Sequence, residues 1–524
     1  MSAVLSLGGV REQRRELLWV ALLSLLWLAV TAWARPLMLP DEGRYVGVAW
    51  EALRSGEWLT PLLNGQPFFH KPPLFYWITE LSLSLFGLHQ GAARAAPLLG
   101  AWLGGISLFA FARRWGDARH ARLALLALLA QPLFFVGAQF ANLDMLVAGC
   151  IGATVLAGAD AALRFEQGLP HRRALLLAYG LAALGVLAKG LIGFVLPGLV
   201  LAAWLLLRRR WRSLRALLWL PGPLLMLALA VPWFWLMQQR HPGFLHYFFT
   251  VQHLQRFAGG GFNNAQPFWF YPVLLLGLSL PWLPWLWRLC RRDLLADPAR
   301  RDLRLLMLLW LGLLTLFFSL PQSKLVGYIF PVLPALAWLM ADGWLLAEAD
   351  GARRRGWDLS LMVSALAGVA VVLALALHPM RGSRELARSL VAQRSGAEPV
   401  FMLERYDYDL PFYARLTEPM WVVDDWASPD LRKRDNWRKE LAEARDFAAP
   451  GAPSRLLDAA ALPAALCAAP VSWVLAADPA PAAHAWLGAA ERVASRRGVG
   501  LWRVVPANPA LASRLGCAGR PNGG

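Results

Sequence analysis

Uncharged apolar runs recur near residues 17–34, 95–112, 123–143, 145–163 (interrupted by Asp160), 174–188, 190–207, 216–239, 268–287, 305–323, 325–341 and 359–379. A helix rises 1.5 Å per residue and the hydrocarbon core of a bilayer is about 30 Å thick, so a run of about 20 such residues crosses it. A chain patterned this way is a polytopic membrane protein. Its composition agrees: 57% of residues are hydrophobic and 16% charged, against about 45–50% and about 25% in soluble domains. The runs predict eleven spans, or thirteen if two further short segments insert as a pair. The formal charge of +18 does not indicate a nucleic-acid partner, because the basic residues sit between apolar runs and not on one soluble face with stacking aromatics.

Those basic residues orient the chain. Arg11, Arg14 and Arg15; Arg113, Arg114, Arg119 and Arg122; Arg164, Arg172 and Arg173; Arg208–Arg210, Arg212 and Arg215; the arginines of 288–304; and Arg353–Arg355 all fall on one side. The excess of cations in short loops makes that side cytoplasmic and places the N-terminus there. The Pro73–Leu88 segment is apolar too, but inserting it alone would reverse every later loop, so it reads as a juxtamembrane helix. The expected organisation is a transmembrane domain over residues 1–379 with outer loops 36–93 and 240–267, then a soluble outer domain over 380–524. In that tail charges return, and β-type runs at 399–402, 420–423 and 471–475 alternate with Ala-rich helical segments, the pattern of a small α/β domain. Of the four cysteines none forms a CxxC pair; Cys467 and Cys517 are able to pair in an oxidising compartment.

With this orientation the unusual polar residues gather at the outer face. The first outer loop carries Asp41-Glu42-Gly43-Arg44-Tyr45 and Asn64-Gly65, then His70-Lys71-Pro72-Pro73. Later come Asn142-Leu143-Asp144, Ala188-Lys189-Gly190, His253 and Arg256, and Ser323-Lys324 with Tyr328. Ionisable groups at membrane depth are costly and point to function. A transporter or flippase for a lipid-linked sugar would place such groups near the midplane, often within inverted repeats; the gathering at one face and the lack of a repeat favour an enzyme.

The ordered set Asp41–Tyr45, Gly56-Glu57-Trp58-Leu59-Thr60-Pro61, Asn64-Gly65, Lys71–Trp77, Leu143-Asp144, Ala188-Lys189-Gly190 and Ser323-Lys324 through Tyr328-Ile329-Phe330-Pro331 resembles the superfamily of protein O-mannosyltransferases and lipid A aminoarabinose transferases, and its bacterial lipid A branch in particular. The likeness covers roughly residues 15–345 by motif. It implies an inner-membrane glycosyltransferase of GT-C type that takes a sugar, such as an amino sugar, from a polyprenyl-phosphate donor. The sugar would be delivered with inversion at the periplasmic face to lipid A or another envelope glycan; the same donor machinery also serves protein or O-chain glycosylation.

The resemblance implies roles for single residues, each beside a plainer reading. Asp41 stands at the family's catalytic acid, or is an N-cap. Glu42 is a site residue or a first-turn helix acid, and Tyr45 a substrate contact. Asp144 occupies a second family acidic position, or caps a helix. Departure of a polyprenyl phosphate anion calls for fixed cations, and Arg44, Lys71, Lys189, Arg256 and Lys324 are the outer-face candidates, with Tyr328 near the donor phosphate. The plainer reading of Lys71 is a snorkelling side chain on a stem stiffened by two prolines, and that of Tyr328 an interfacial aromatic. A Glu commonly associated with metal stands in the family where this chain has His70, and Val326-Gly327 departs from the commoner Pro-containing form. Despite that departure, a divalent metal such as zinc on His70 and His253 is a candidate cofactor, the alternative being that they are phosphate partners, a substrate contact at His70, or interfacial side chains.

Overall fold

The computed structural model describes residues 7–255, 264–291, 294–379, 381–449, 451–480 and 482–517. The described residues form two compact units, one from those within 1–35, 70–260 and 264–378, the other from those within 36–69 and 379–524. The first outer loop, assigned from sequence to the transmembrane domain, thus divides at Phe69. Its front half is short of apolar length and folds with the C-terminal segment.

The first unit is helical. Each of the eleven runs falls on a helix or a helix pair, but among the described residues six helices are long and apolar enough to span a membrane: Ala92–Trp115, Leu143–Glu166, Trp211–Arg240, Arg301–Ser319, Val326–Ala349 and Arg354–Leu377. Two further candidates are bent pairs, Ala118–Ala130 with Pro132–Ala138 at 67° and Phe270–Leu278 with Leu280–Cys290 at 69°. Pro132 and Pro281 stand at the breaks, where a proline cannot continue the hydrogen-bond ladder. Among the described residues six to eight spans meet that length and apolarity, while the remaining runs fall on shorter helices such as Ile192–Leu207, which has 16 residues. The Pro73–Leu88 segment forms the helix Leu74–Phe86, 13 residues long; at about 20 Å it falls short of a bilayer core.

Close backbone approach aligns the helix that begins at Asn142. A Cβ on Gly149 would lie 2.8 Å from Gly100 Cα, so the helices Ala95–Trp115 and Leu143–Glu166 pack through small residues, as membrane helices do when backbones are in contact. Two wholly buried arginines fix the end of the first helix: Arg94 donates to Ala32 O (2.5 Å) and Arg35 O (3.0 Å), and Arg35 to Gln139 O (2.7 Å). The Arg-rich ends are built on ion pairs, with Arg304 on Asp342 (2.7 Å) and Arg122 on Glu16 (2.6 Å).

The second unit holds a hairpin, β1 (Leu62–Leu63) and β2 (Gln66–Pro67), and a six-stranded sheet of β3 (Val400–Leu403), β4 (Trp421–Val423), β5 (Leu456–Leu457), β6 (Ser472–Ala477), β7 (Glu491–Arg496) and β8 (Val499–Val504). The order is β5-β4-β3-β6-β8-β7, parallel from β5 to β6 and antiparallel beyond. Strands β3, β4 and β6 coincide within a residue or two with the β-type runs of the sequence. Phe401, Leu403, Val474, Trp502 and Leu511 fill one core, and a Cys467–Cys517 disulfide ties the helices Leu462–Cys467 and Pro509–Leu515 beside it.

Candidate active site

Asp41 opens the helix Asp41–Ser55 of the second unit. The N-cap position is taken by Pro40, so Asp41 lies in the first turn, where a carboxylate is favoured by the helix dipole. Its Oδ1 meets Arg44 Nη2 at 2.5 Å, and the Asp41 side chain keeps 30% of its surface exposed. Arg44 pairs through its other terminal nitrogen with Glu440, whose Oε2 accepts from the Tyr408 hydroxyl at 2.6 Å. The rings of Tyr45 and Tyr408 lie 5.0 and 5.9 Å from the guanidinium carbon. Burial acts to depress Arg44, but the charges of Glu440 first and Asp41 after it raise it well above the usual arginine range, so it stays a cation. Glu42 is fully buried and accepts from Met38 N at 2.9 Å, a brace for the chain entering the helix.

The same unit fixes this helix from below. A Cβ on Gly47 would stand 2.8 Å from Tyr408 O and one on Gly43 3.0 Å from Asp409 N, so the helix is seated directly on the Tyr408–Asp409 turn. Asn64 and Gly65, with φ of 52° and 80°, form the left-handed turn of the β1–β2 hairpin that the sequence marked. The Asn64 amide exchanges two 2.9 Å hydrogen bonds with the backbone of Met420. Glu440, Tyr408 and Asp409 were not picked out from sequence; the acid and aromatic alternation Tyr406-Asp407-Tyr408-Asp409 is a signal that could have found the last two, and nothing comparable marks Glu440.

A second constellation stands in the first unit. Asn142 caps the helix Leu143–Glu166, accepting from Asp144 N at 3.0 Å while its amide donates to Asp144 Oδ2 at 3.1 Å. The cap is therefore Asn142, and Asp144 is left to pair with Lys189. Lys189 ends the helix Arg172–Lys189 before Gly190, whose φ is 93°. Its ammonium lies 4.2 Å from the centre of the Tyr328 ring. Asp144 and Lys189 are 8% and 14% exposed. A Cβ on Gly327 would fall 2.9 Å from the Asp144 carboxyl carbon, so only glycine lets the Tyr328 segment close over the pair. Lys324 donates to Gln266 O (2.8 Å) and Pro321 O (2.5 Å).

Of the other residues expected at the site, Lys71 is half-buried and His70 is buried with its ring 6.1 Å from that of Tyr247. Arg256 and the side chain of His253 lie outside the described residues. Among the described residues no three His, Cys, Asp or Glu side chains gather as a metal site, at His70 or elsewhere.

A bundle of spanning helices, a soluble α/β unit and two carboxylate–cation pairs at helix ends define a polytopic membrane protein of the GT-C class. The pattern of the dolichyl-phosphate-mannose-protein mannosyltransferase family matches residues 70–235. The undecaprenyl phosphate-α-4-amino-4-deoxy-L-arabinose arabinosyl transferase of Pseudomonas paraeruginosa is 31% identical over 74% of this chain and 70% of its own. The protein of that name from Aeromonas hydrophila is 33% identical over 65% of this chain and 62% of its own. The crystal structure of ArnT from Cupriavidus metallidurans bound to undecaprenyl phosphate superposes with a TM-score of 0.77 at 27% identity, covering 93% of this chain and 98% of that one. The chain belongs to the undecaprenyl phosphate-aminoarabinose arabinosyl transferase family. It spans about three fifths of the length of the first relatives it matches.

Proposed function

We propose that the chain is an inner-membrane glycosyltransferase that moves 4-amino-4-deoxy-L-arabinose or a related sugar from undecaprenyl phosphate to lipid A at the periplasmic face. The Arg-rich helix ends and the N-terminus would face the cytoplasm, and the α/β unit the periplasm. The observation that carries the reading is the half-open Asp41 carboxylate, fixed at a helix start by Arg44 in a chain of this family.

The acceptor oxygen attacks the sugar's anomeric carbon as the bond to the donor phosphate breaks, with inversion, and polyprenyl phosphate leaves with the electron pair. Asp41 takes the proton of a hydroxyl acceptor, or keeps an already ionised lipid A phosphate in line through Arg44. Charge growing on the departing phosphate is met by fixed cations, for which Lys71, Lys189, Lys324 and Arg256 are the candidates. The Tyr328 ring restrains the Lys189 ammonium.

The test is transfer by the purified chain from undecaprenyl phosphate-aminoarabinose to Kdo-lipid A, read by mass spectrometry, beside Asp41→Asn. The expected result is a sugar-sized increment that the variant reduces by about a hundredfold or more. Transfer to protein or O-chain acceptors alone would keep the donor and move the acceptor. Lipid movement across vesicles by an inactive Asp41→Asn protein would overturn the enzyme reading.

A further inference from the structure

We infer that a crevice in the first unit, between the helices Leu143–Glu166, Arg172–Lys189, Ile192–Leu207 and Trp211–Leu217, binds an acyl chain of an anionic glycerophospholipid whose phosphate is held at the mouth by Arg172 and Arg215. The mouth lies at the Arg-rich helix ends. Asp144 and Lys189 stand at the opposite ends of two of the same helices, and lipid binding here is separate from the transfer reaction.

The crevice holds about 170 Å³, the scale of a cavity of about 150 Å³ lined by Leu, Ile and Phe that stays dry and takes up an apolar guest. Its shape is set by small residues. A Cβ on Gly158 would run into the Leu201 side chain, so these two residues close the floor. A Cβ on Gly198, which also lines the crevice, would meet nothing within 4 Å, and the groove is left open there. The Tyr179 ring closes on Gly222, where a Cβ has no room, and its hydroxyl donates to Leu217 O at 2.9 Å. Carbonyls in the last turn of a helix lack partners inside it; this bond ties the short helix Trp211–Leu217 to the bundle and sets Leu214 and Leu218 across the end of the groove. Phe194 and Leu218 remain exposed at its edges.

The mouth supplies charge. Arg172 stands one turn before the lining residue Leu175, and its guanidinium carbon lies 5.0 Å from the centre of the Trp219 ring, beside Leu218. Arg215 directly follows Leu214, and both arginines are exposed. The carboxylate of this region is taken: Glu166 pairs with Arg208 at 2.8 Å and accepts from the Ser213 hydroxyl at 3.0 Å. Among the described residues no carboxylate pairs with Arg172 or Arg215. Two guanidiniums left without a counter-charge above an apolar groove match a phosphodiester carrying a hydrocarbon chain. A guanidinium takes phosphate oxygens two at a time, and basic pockets between spanning helices at the cytoplasmic side recognise anionic lipid headgroups. A zwitterionic lipid would set its own cation beside the arginines. The bound chain would brace the Arg172–Lys189 helix, whose far end carries Lys189.

The experiment uses the full-length chain in detergent, with dioleoylphosphatidylglycerol or dioleoylphosphatidylcholine added. Native mass spectrometry reads the affinity without turnover, and melting is followed in parallel. The parent is expected to hold phosphatidylglycerol at least about tenfold more tightly than phosphatidylcholine, and to melt later with it. Arg172→Gln/Arg215→Gln should weaken phosphatidylglycerol roughly thirtyfold, about fivefold for each cation, and leave phosphatidylcholine as it was. Arg212→Gln, two residues before Leu214 and so on the other side of its helix, should change neither. Gly198→Phe fills the groove where a Cβ has room and should weaken both lipids about tenfold or more, with no earlier melting of the lipid-free chain. If that variant melts early, the smaller filling of Ala202→Leu, at another lining position, makes the same comparison. Equal affinity for the two lipids overturns the inference. Phosphatidylglycerol binding that survives filling of the groove reduces the attraction to surface charge and also overturns it. Undecaprenyl phosphate that binds more tightly, with the same dependence on Arg172, Arg215 and Gly198, would give the groove to the carrier lipid and overturn it as well.

Discussion

The pair between Asp144 and Lys189 separates a structural role from a chemical one by a single comparison. Each side chain is nearly closed off from water, and removing one partner of such a pair strands the other, at a cost of about 3–5 kcal/mol. Two features of the site soften that cost. Asp144 lies in the first turn of its helix and Lys189 in the last turn of its own, so each charge keeps a favourable helix dipole worth up to about 2 kcal/mol. Asn142 also retains its bond to Asp144. The expected loss for Lys189→Met or Asp144→Asn is therefore about 2–3 kcal/mol. The Asp144→Asn/Lys189→Met double variant removes both charges together and should return to within about 1 kcal/mol of the parent. Denaturation of the purified full-length chain in detergent reads this order. Transfer from undecaprenyl phosphate-aminoarabinose reads the other half: the double variant should be stable and still at least about a hundredfold slow, because a cation proposed to meet the leaving phosphate is gone. Activity that recovers along with stability would refute the argument and make the pair a brace.

Two other outcomes are expected from the structure. Burial, with the like charge of Asp407 adding to it, pushes the Asp409 carboxyl up to about 7 from an ordinary 3.8; the folded chain then holds a proton that the unfolded chain has released, so stability is full below about pH 4 and falls as pH rises to about 7. Asp409→Asn should flatten the pH dependence of melting between pH 5 and 8 and raise stability at pH 8 by up to about 4 kcal/mol; an unchanged slope would count against a buried proton there. Gly327→Ala should push the Tyr328 segment off the Asp144 carboxylate and reduce transfer about tenfold or more with a small loss of stability; wild-type transfer would show that Tyr328 need not close over Lys189.

Much of this was legible in the residues, and the limits of legibility are physical. Each charge-free run falls on a helix or a helix pair of the first unit, because a bilayer core penalises exposed charge, but a run does not tell where a helix bends. Pro132 and Pro281 could be read as breaks only with the knowledge that each run continues past them. The strands β3, β4 and β6 were visible because buried parallel strands are short and uniformly apolar. Asp41 and Arg44, three residues apart on one helix, could be paired from spacing; Glu440, 396 residues from Arg44, could not, since only the fold brings such a partner near. The same holds for Asp144 and Lys189, each singled out alone. Arg35 and Arg94, which the sequence does not single out, are wholly buried and donate to backbone carbonyls, which no count of charges per loop would reveal.

The division of the chain gives the C-terminal segment a role beyond that of an appended domain. A 15-residue helix such as Asp41–Ser55 is marginal alone in water, because isolated helices of that length gain too little from their own hydrogen bonds. Here Gly43 and Gly47 let the Tyr408–Asp409 turn reach its backbone, Tyr413 holds Leu37 N at 2.7 Å, and the Asn64 amide locks the following hairpin to Met420. Every one of those partners lies beyond residue 379. In the role proposed for it Asp41 must hold its place to a fraction of an ångström for in-line attack, and that needs such support. Loosening it should therefore cost kcat before it costs folding: Asn64→Ala, far from any reacting atom, would remove both bonds to Met420 and is expected to slow transfer more than about fivefold while lowering stability by about 1–2 kcal/mol. An Asn64→Ala chain that melts early but turns over at the parental rate would mean that the Asp41 helix is held by the rest of its contacts alone.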